Sequence, residues 1–454
     1  MPENKAKKLP QFFAAICISI GAMSTGTVIA WTSNISKKLE DGDLNKVKLN
    51  LSWAGSIMCL GAMCVSIPIG IMADKIGRKL TALFILIPYT TGWLLIIFTQ
   101  HVAMLLVGRF LTGMGAGSFC IIGPIYTSDI AEISIRKTLG TFMQLFITLG
   151  ILYANIFGWI LPIITFCILC AAVPVTFGIL FVFQPESPIY LIKKNKKNEA
   201  LAAYAKLRGK DYDPSVEIAE AERVANKEVE LKGQFKEQLK SKSGWKSSLI
   251  CFMLMFYQQF CGINAVMFYS GSIFKEASSS IKPELCVCII GLIQVIATVI
   301  SAYFVDSLGL KVLLILSAGL MALSTLLMAI YFLLKDEKMV SVDTIESIRW
   351  LPLLPLILFI ISFSFGMGPI PWLASSEMFP RAIMARMSSY AGIFNWFLAF
   401  VITVGYEPCS KALGSSSTFF IFTVISASAV FFVIFIVPET RGKTFEEIQD
   451  ELNA

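Results

Sequence analysis

Three carboxamides stand in one apolar stretch, Gln258, Gln259 and Asn264, within the run Gln258-Gln259-Phe260-Cys261-Gly262-Ile263-Asn264-Ala265-Val266-Met267-Phe268-Tyr269-Ser270. Each amide donates and accepts hydrogen bonds, and hydrocarbon offers partners for neither. Leaving such a group unpaired costs roughly 2–7 kcal/mol. The chemistry implied is recognition: other helices, water or a polar ligand must complete these groups, and an uncharged, hydroxyl-rich ligand suits them. On a helix of 3.6 residues per turn, Gln259 and Asn264 lie roughly 140° apart, so they share a face only if the helix bends. Gly262 lies between them and permits a bend or break. Beside Gly368, Pro369 and Pro371 predict a second interruption, because their missing N–H groups free carbonyls.

These residues need a membrane-embedded frame, and the composition supplies one. Of 454 residues, 56% are hydrophobic and 15% charged, with a mean hydropathy of +0.72; a soluble domain is about a quarter charged. The chain reads as a polytopic protein of the lipid bilayer. Its net charge of +7 comes from loops beside spans, which report topology and not a nucleic-acid partner. Eleven cysteines, nearly all in apolar runs, make no disulfide framework. Cys167 and Cys170 form a C-x-x-C without a basic neighbour and read as packing. His101, the only histidine, falls in a short outer loop, so no histidine relay is expected. No metal site or cofactor is expected, and no nucleophile–base pair lies in a span, so the chain does not read as an enzyme. An amide site that binds and occludes also argues against a channel.

A span needs about 20 apolar residues. Twelve such runs occur, at 11–33, 51–73, 80–99, 102–124, 138–160, 162–184, 247–274, 285–305, 312–334, 350–373, 387–407 and 417–437. The lysine-rich segment 187–246 divides them six plus six. The expected organisation is all-α: a six-helix bundle over 1–186, a cytoplasmic helical linker over 187–246, a second bundle over 247–438 and a cytoplasmic tail over 439–454. No signal peptide is evident; Lys5, Lys7 and Lys8 precede the first span and place the N-terminus in the cytoplasm. The basic loops at 74–79, 136–137 and 187–246 and the tail at 441–443 then share that side. The loop at 34–50 falls outside, and its sequon Asn34-Ile35-Ser36 makes Asn34 a candidate glycan acceptor.

An internal repeat marks the two halves. Asp74-Lys75-Ile76-Gly77-Arg78-Lys79 after span 2 is echoed by Asp306-Ser307-Leu308-Gly309-Leu310-Lys311 after span 8. Tyr126-Thr127-Ser128-Asp129 is echoed by Ala374-Ser375-Ser376-Glu377, and Pro185-Glu186-Ser187 by Pro438-Glu439-Thr440. Such repeats fit two halves related by an axis along the membrane normal. Together with Gly108-Arg109-Phe110-x-x-Gly113, Pro124-Ile125-Tyr126, the Gln258–Asn264 run, Gly368-Pro369-Ile370-Pro371-Trp372 and Pro438-Glu439-Thr440-Arg441-Gly442-Lys443, the pattern resembles the sugar porters of the major facilitator superfamily. Within that family it is most similar to the insect facilitated trehalose transporters.

The resemblance implies the twelve-helix major facilitator fold with a sugar site between pseudo-symmetric halves. It places Gln144, Gln258, Gln259, Asn264, Gln294, Trp372 and Asn395 on a neutral mono- or disaccharide, with Phe268 and Tyr269 capping the site from outside. Gly262, Gly368, Pro369 and Pro371 become hinges. Asp74, Arg78, Asp129, Arg136, Glu186, Asp306, Glu377, Glu439 and Arg441 become a cytoplasmic gate of acid–arginine pairs. The chain departs from the family where Leu310 and Met384 replace C-half arginines and Ile189 replaces another; Lys311, Arg381 and Arg386 are the candidate substitutes.

Proton-linked sugar porters carry an Asp early in span 1; here the matching position is Val28. Arg109 is the one ionisable residue well inside a run, expected to grip carbonyls or a carboxylate of a neighbouring helix. Without an acid whose pKa could respond to substrate, facilitated transport by a monomer in the cell membrane is expected, with proton symport and sugar sensing without flux as alternatives. The short tail after Glu439 favours transport over sensing.

Overall fold

The computed structural model describes residues 6–40, 44, 51–276, 282–336, 341–348, 350–441, 443 and 445–453. Among them regular structure is entirely helical. The first six spanning helices are α1 Leu9–Glu40, α2 Leu51–Ile76, α3 Arg78–Ile97, α4 Val102–Ile130, α5 Arg136–Ile160 and α6 Ile163–Phe181. The other six follow the linker. They are α7, in two pieces Lys242–Phe260 and Ile263–Glu276; α8 Pro283–Leu308; α9 Leu310–Asp336; α10, in two pieces Leu353–Phe365 and Ile370–Met378; and α11 and α12. The last two form one 56-residue helical stretch, Arg381–Ile436, divided at Gly414 (φ 82°, ψ 157°) into 381–413 and 415–436.

Small residues set the close helix contacts. A Cβ on Gly26 would meet the Ile147 carbonyl of α5 at 2.0 Å, and one on Gly113 would meet the Met58 carbonyl of α2 at 2.1 Å. In lipid, where apolar burial gives no net drive, such backbone approach and interhelical hydrogen bonds hold a bundle together.

Arg109 is the largest polar exception. It is fully buried and donates Nε to the Ala54 carbonyl at 2.9 Å, Nη1 to the Val28 carbonyl at 3.0 Å and Nη2 to Thr32 Oγ1 at 3.0 Å. Its guanidinium lies 4.7 Å from the Trp31 ring centre. The residue ties α4 to α1 and α2.

The linker is helical and docks at both ends. In the helix Lys197–Arg208, the buried Arg208 donates to the Ile130 carbonyl at 2.7 Å, closing the C-terminal end of α4. Farther on, Phe235 receives the Arg386 guanidinium of α11 at 4.8 Å. The helix Phe445–Asn453 buries Ile448 and Leu452 and donates Gln449 Nε2 to the Met378 carbonyl at 2.8 Å, capping α10.

Helix α1 runs on to Glu40, past its apolar stretch, so Asn34 is helical and not in the expected loop. Its amide donates to Asn155 Oδ1 of α5 at 2.9 Å, and its side chain fills the space at Gly158. Asn34 is therefore committed to packing, not presented as a glycan acceptor. Helix α11 likewise continues past the end of its apolar run, so that Glu407, the last residue of the run, lies inside the helix.

Candidate functional site

The site begins at the break in α7. Gly262 has φ 98°, a region that side chains disfavour, and a Cβ there would lie 2.8 Å from the Phe422 ring. The helix stops at Phe260 and restarts at Ile263, and this brings Asn264 back to Gln259: the Asn264 amide donates to Gln259 Oε1. Gln259 Nε2 donates to Asn395 Oδ1 of α11 at 2.8 Å, and Asn395 Nδ2 donates to Gln258 Oε1 at 2.6 Å. Gln258 Nε2 then donates to the Met367 and Gly368 carbonyls at 2.9 and 2.7 Å, at the interruption of α10. Four amides thus form a chain from α7 through α11 to α10, with Gln258, Gln259 and Asn395 buried and Asn264 partly exposed.

The remaining expected residues stand on other helices. Trp372 is 40% exposed and packs near Gly392 of α11, where a Cβ would sit 3.6 Å from the indole. Gln294 is 5% exposed, and its Oε1 has no hydrogen-bond partner among the described residues. It follows Val287 by seven residues and so shares that residue's face of α8 to within about 20°. Val287 marks the seam between the halves, because its carbonyl accepts Asn155 Nδ2 of α5 at 3.1 Å. Gln144 precedes Asn155 by eleven residues, about 20° around α5 and roughly 16 Å along it. Gln144 thus faces the same seam, and there it is exposed.

The end of the seam away from the linker is sealed. Ser33 of α1 meets Ser270 of α7 at 2.9 Å, and Ser52 of α2 donates to Glu407 of α11 at 2.5 Å. Phe268 and Tyr269 are buried. The Phe268 ring fills the space at Gly55 of α2, and Tyr269 donates to the Thr403 carbonyl at 2.8 Å. The gap left at this level, lined in part by Asn155, Ser270 and Ile290, is about 10 Å³, room for one water at most. The polar residues of this seam were not singled out in the sequence. Ser33, Ser270 and Asn155 look like ordinary helix-to-helix glue until their partners are known.

On the linker side most of the charges gather within each half. Arg78 donates to Asp129 at 2.9 Å and to Asp74 at 3.2 Å. Ser187 adds a hydroxyl to Asp129 at 2.6 Å. Glu186 accepts the backbone N–H groups of Arg78, Lys79 and Ser187 at 2.9, 3.0 and 2.7 Å. Burial raises the Glu186 pKa, and those N–H groups oppose the rise. Arg136 donates to the Ala131 carbonyl at 3.4 Å. In the other half Glu439 accepts the Arg441 N–H at 3.0 Å and lies against Gly309. Burial raises Glu377, against the Thr440 hydroxyl and the charge of Lys137 across the seam. Arg381 lies over Phe445, and Arg386 over Phe235, so these two cations serve the tail and the linker. The Asp306 side chain lies outside the described residues.

Comparison with known proteins follows this geometry. The family model described as sugar (and other) transporter matches residues 15–452. This chain belongs to that family. The facilitated trehalose transporter Tret1 of Anopheles gambiae is 35% identical over 97% of this chain, and that of Polypedilum vanderplanki 34% over the same share. The chain spans 56% of the first relative and 88% of the second, so it covers about half the length of the mosquito protein. Among solved structures, the inward open xylose transporter XylE from E. coli superposes with a TM-score of 0.77 at 20% identity, over 97% of this chain and 99% of that one. The proton:xylose symporter XylE bound to 6-bromo-6-deoxy-D-glucose gives 0.77 at 21%, with the same coverage. At this identity the likeness establishes the fold, the twelve-helix major facilitator architecture of a multi-pass membrane protein.

Proposed function

We propose that this sugar transporter family member carries a neutral sugar, trehalose or a hexose, down its gradient by alternating access. One observation carries the reading: a chain of amides at the breaks of α7 and α10 borders a seam sealed outside, at Ser33–Ser270 and Ser52–Glu407, and exposed farther in, at Gln144. Sugar hydroxyls donate and accept, as carboxamides do. Gln144, Gln259, Asn264 and Gln294, whose Oε1 has no partner among the described residues, meet the ring, Trp372 offers it a flat face, and Gln258 and Asn395 complete the amide chain behind them. Gly262, Gly368, Pro369 and Pro371 let the outer piece of α7 and the inner piece of α10 move, with Phe268 and Tyr269 closing the outer mouth. The cytoplasmic charges, from Asp74, Arg78, Asp129, Arg136 and Glu186 to Asp306, Glu377, Glu439 and Arg441, close the inner one. The chain works as a monomer in the cell membrane with both termini in the cytoplasm.

The solved neighbour named a proton:xylose symporter raises the alternative of proton coupling. The aliphatic side chain of Val28, whose backbone carbonyl meets Arg109, favours facilitated transport, because it has no proton to exchange. The test is uptake of radiolabelled trehalose and glucose into proteoliposomes with and without a protonophore. Saturable uptake that equilibrates and ignores the protonophore is expected; accumulation above the outside level would overturn facilitation, and binding without flux would overturn transport.

A further inference from the structure

A carboxylate of the C-half sits at the start of an N-half helix. Helix α2 begins at Leu51, so the N–H groups of its first turn have no carbonyl partners within the helix. Glu407 of α11 meets them there. Its Oε2 accepts the Ser52 hydroxyl at 2.5 Å, and the carboxylate also accepts the Ser52 backbone N–H. The positive end of the α2 dipole favours an anion at this place. The contact is a helix cap supplied by the opposite half.

Solvent reaches this acid, whose side chain is 23% exposed. Among the described residues, two other titratable groups face it. Lys411, one turn on in α11, holds Oε1 at 2.5 Å; it belongs to the same helix and joins nothing across the seam. Tyr269, on the outer piece of α7, lies close to both Ser52 and Glu407 and gives its hydroxyl to the Thr403 carbonyl. The first turn of α2, Leu51-Ser52-Trp53-Ala54, carries no charged residue. The other bonds across the seam at this end, Ser33 to Ser270 and Asn155 to the Val287 carbonyl, involve no acid or base.

We propose that Glu407 makes the seal between the halves sensitive to acid on its own face. Charged, it caps α2 and holds the halves together. Protonated, it keeps a neutral hydrogen bond, roughly half as strong, and loses its attraction to the helix end. The sealed form therefore prefers the charged acid, and added protons favour the form in which α2 and α11 have parted. The proton arrives and leaves on one face, so it shifts a balance and drives nothing across. The inference concerns the seal and stands apart from the transport of sugar.

Distances between two nitroxide labels test it on the full chain in detergent. Ile160→Cys at the end of α5 and Leu413→Cys at the end of α11 carry the labels; both positions are exposed. Cys64, Cys120 and Cys409, the three cysteines that are not buried, are changed to serine. Lowering the pH from about 7.5 to about 4 passes through the ordinary carboxylate range. The ratio of long to short distances should rise by about tenfold and fall again on return to neutral pH. Other acids titrate over the same range, so the variant decides: Glu407→Gln should show the raised ratio at both pH values. A labelled parent that ignores pH, or a Glu407→Gln protein that still follows it, would overturn the proposal. Should Glu407→Gln not fold, Ser52→Ala takes its place. Without the hydroxyl the ratio should already be raised at neutral pH, and the acid step should shrink by about half or more; a step of full size overturns the proposal.

Discussion

Ser52, in the first turn of α2, donates its hydroxyl to the Glu407 carboxylate of α11 at 2.5 Å, and Lys411 binds the other carboxylate oxygen at 2.5 Å. The N-half helix start is thereby tied to the C-half at the outer face. A hydrogen bond to a charged acceptor contributes about 1.5–3 kcal/mol. Ser52→Ala is therefore expected to shift the balance toward an outward-open form by about tenfold or more. Labelling of Ile290→Cys, beside the sealed gap, by an impermeant maleimide applied from outside should rise accordingly; unchanged labelling would show that the contact does not hold the seal.

Arg78 is 5% exposed, and its fork spans Asp129, Asp74 and the Ala73 carbonyl. Removing one partner of a buried pair costs about 3–5 kcal/mol. Arg78→Gln should lose about that much, mostly through Asp129, since Asp74 is 78% exposed and its pair counts for little. Arg78→Lys should recover only part, for lack of the fork. Thermal unfolding of the variants, with Asp74→Asn as the mild control, measures this.

Glu186 sets a sign for pH. Burial raises its pKa above that of a free carboxylate, so between the two values the native protein holds more proton than the unfolded chain. Its contribution to stability then falls as pH rises through that window. Glu186→Gln, which keeps an acceptor oxygen without the charge, should flatten the dependence between acidic and neutral pH. Melting temperatures of both proteins across that range are the check; parallel curves would remove Glu186 from the account.

Gly262→Ala combines two costs: a left-handed backbone, about 1–2 kcal/mol for a residue with Cβ, and crowding against Phe422, about 1–3 kcal/mol. The variant should lose monodisperse protein and uptake together. Adding Phe422→Leu should restore only the packing share, as read by the melting temperature.

Much of this was legible from residue spacing. The interval from Gln259 to Asn264 demands a break, and Gly262 is where α7 has one; Pro369 and Pro371 mark the interruption of α10 in the same way. Periodicity is local, and so is the reading it supports. The partners of Ser270 and Ser52, and the Val287 carbonyl that Asn155 meets, lie in the other half of the chain, hundreds of positions away for Ser52 and Glu407, and no spacing rule reaches that far. Asn34 failed for a related reason: a sequon is three residues long, whereas the helix that absorbs it is fixed by contacts to Asn155 and Gly158. Arg381 and Arg386 were candidates for gate pairs, but Phe445 and Phe235, outside the apolar runs, determine where they lie.

The Arg109 guanidinium is held by Ala54, Val28, Thr32 and Trp31, which belong to helices of its own half. When that half rocks as a body the guanidinium travels with its cage and changes no neighbour. One charge crossing the whole membrane field would feel about 2.3 kcal/mol per 100 mV, but a tethered one sweeps only a sliver of it. With the proposed neutral passenger, the resting voltage of a cell has almost nothing to pull on, and transport should run at the same pace in polarised and depolarised membranes.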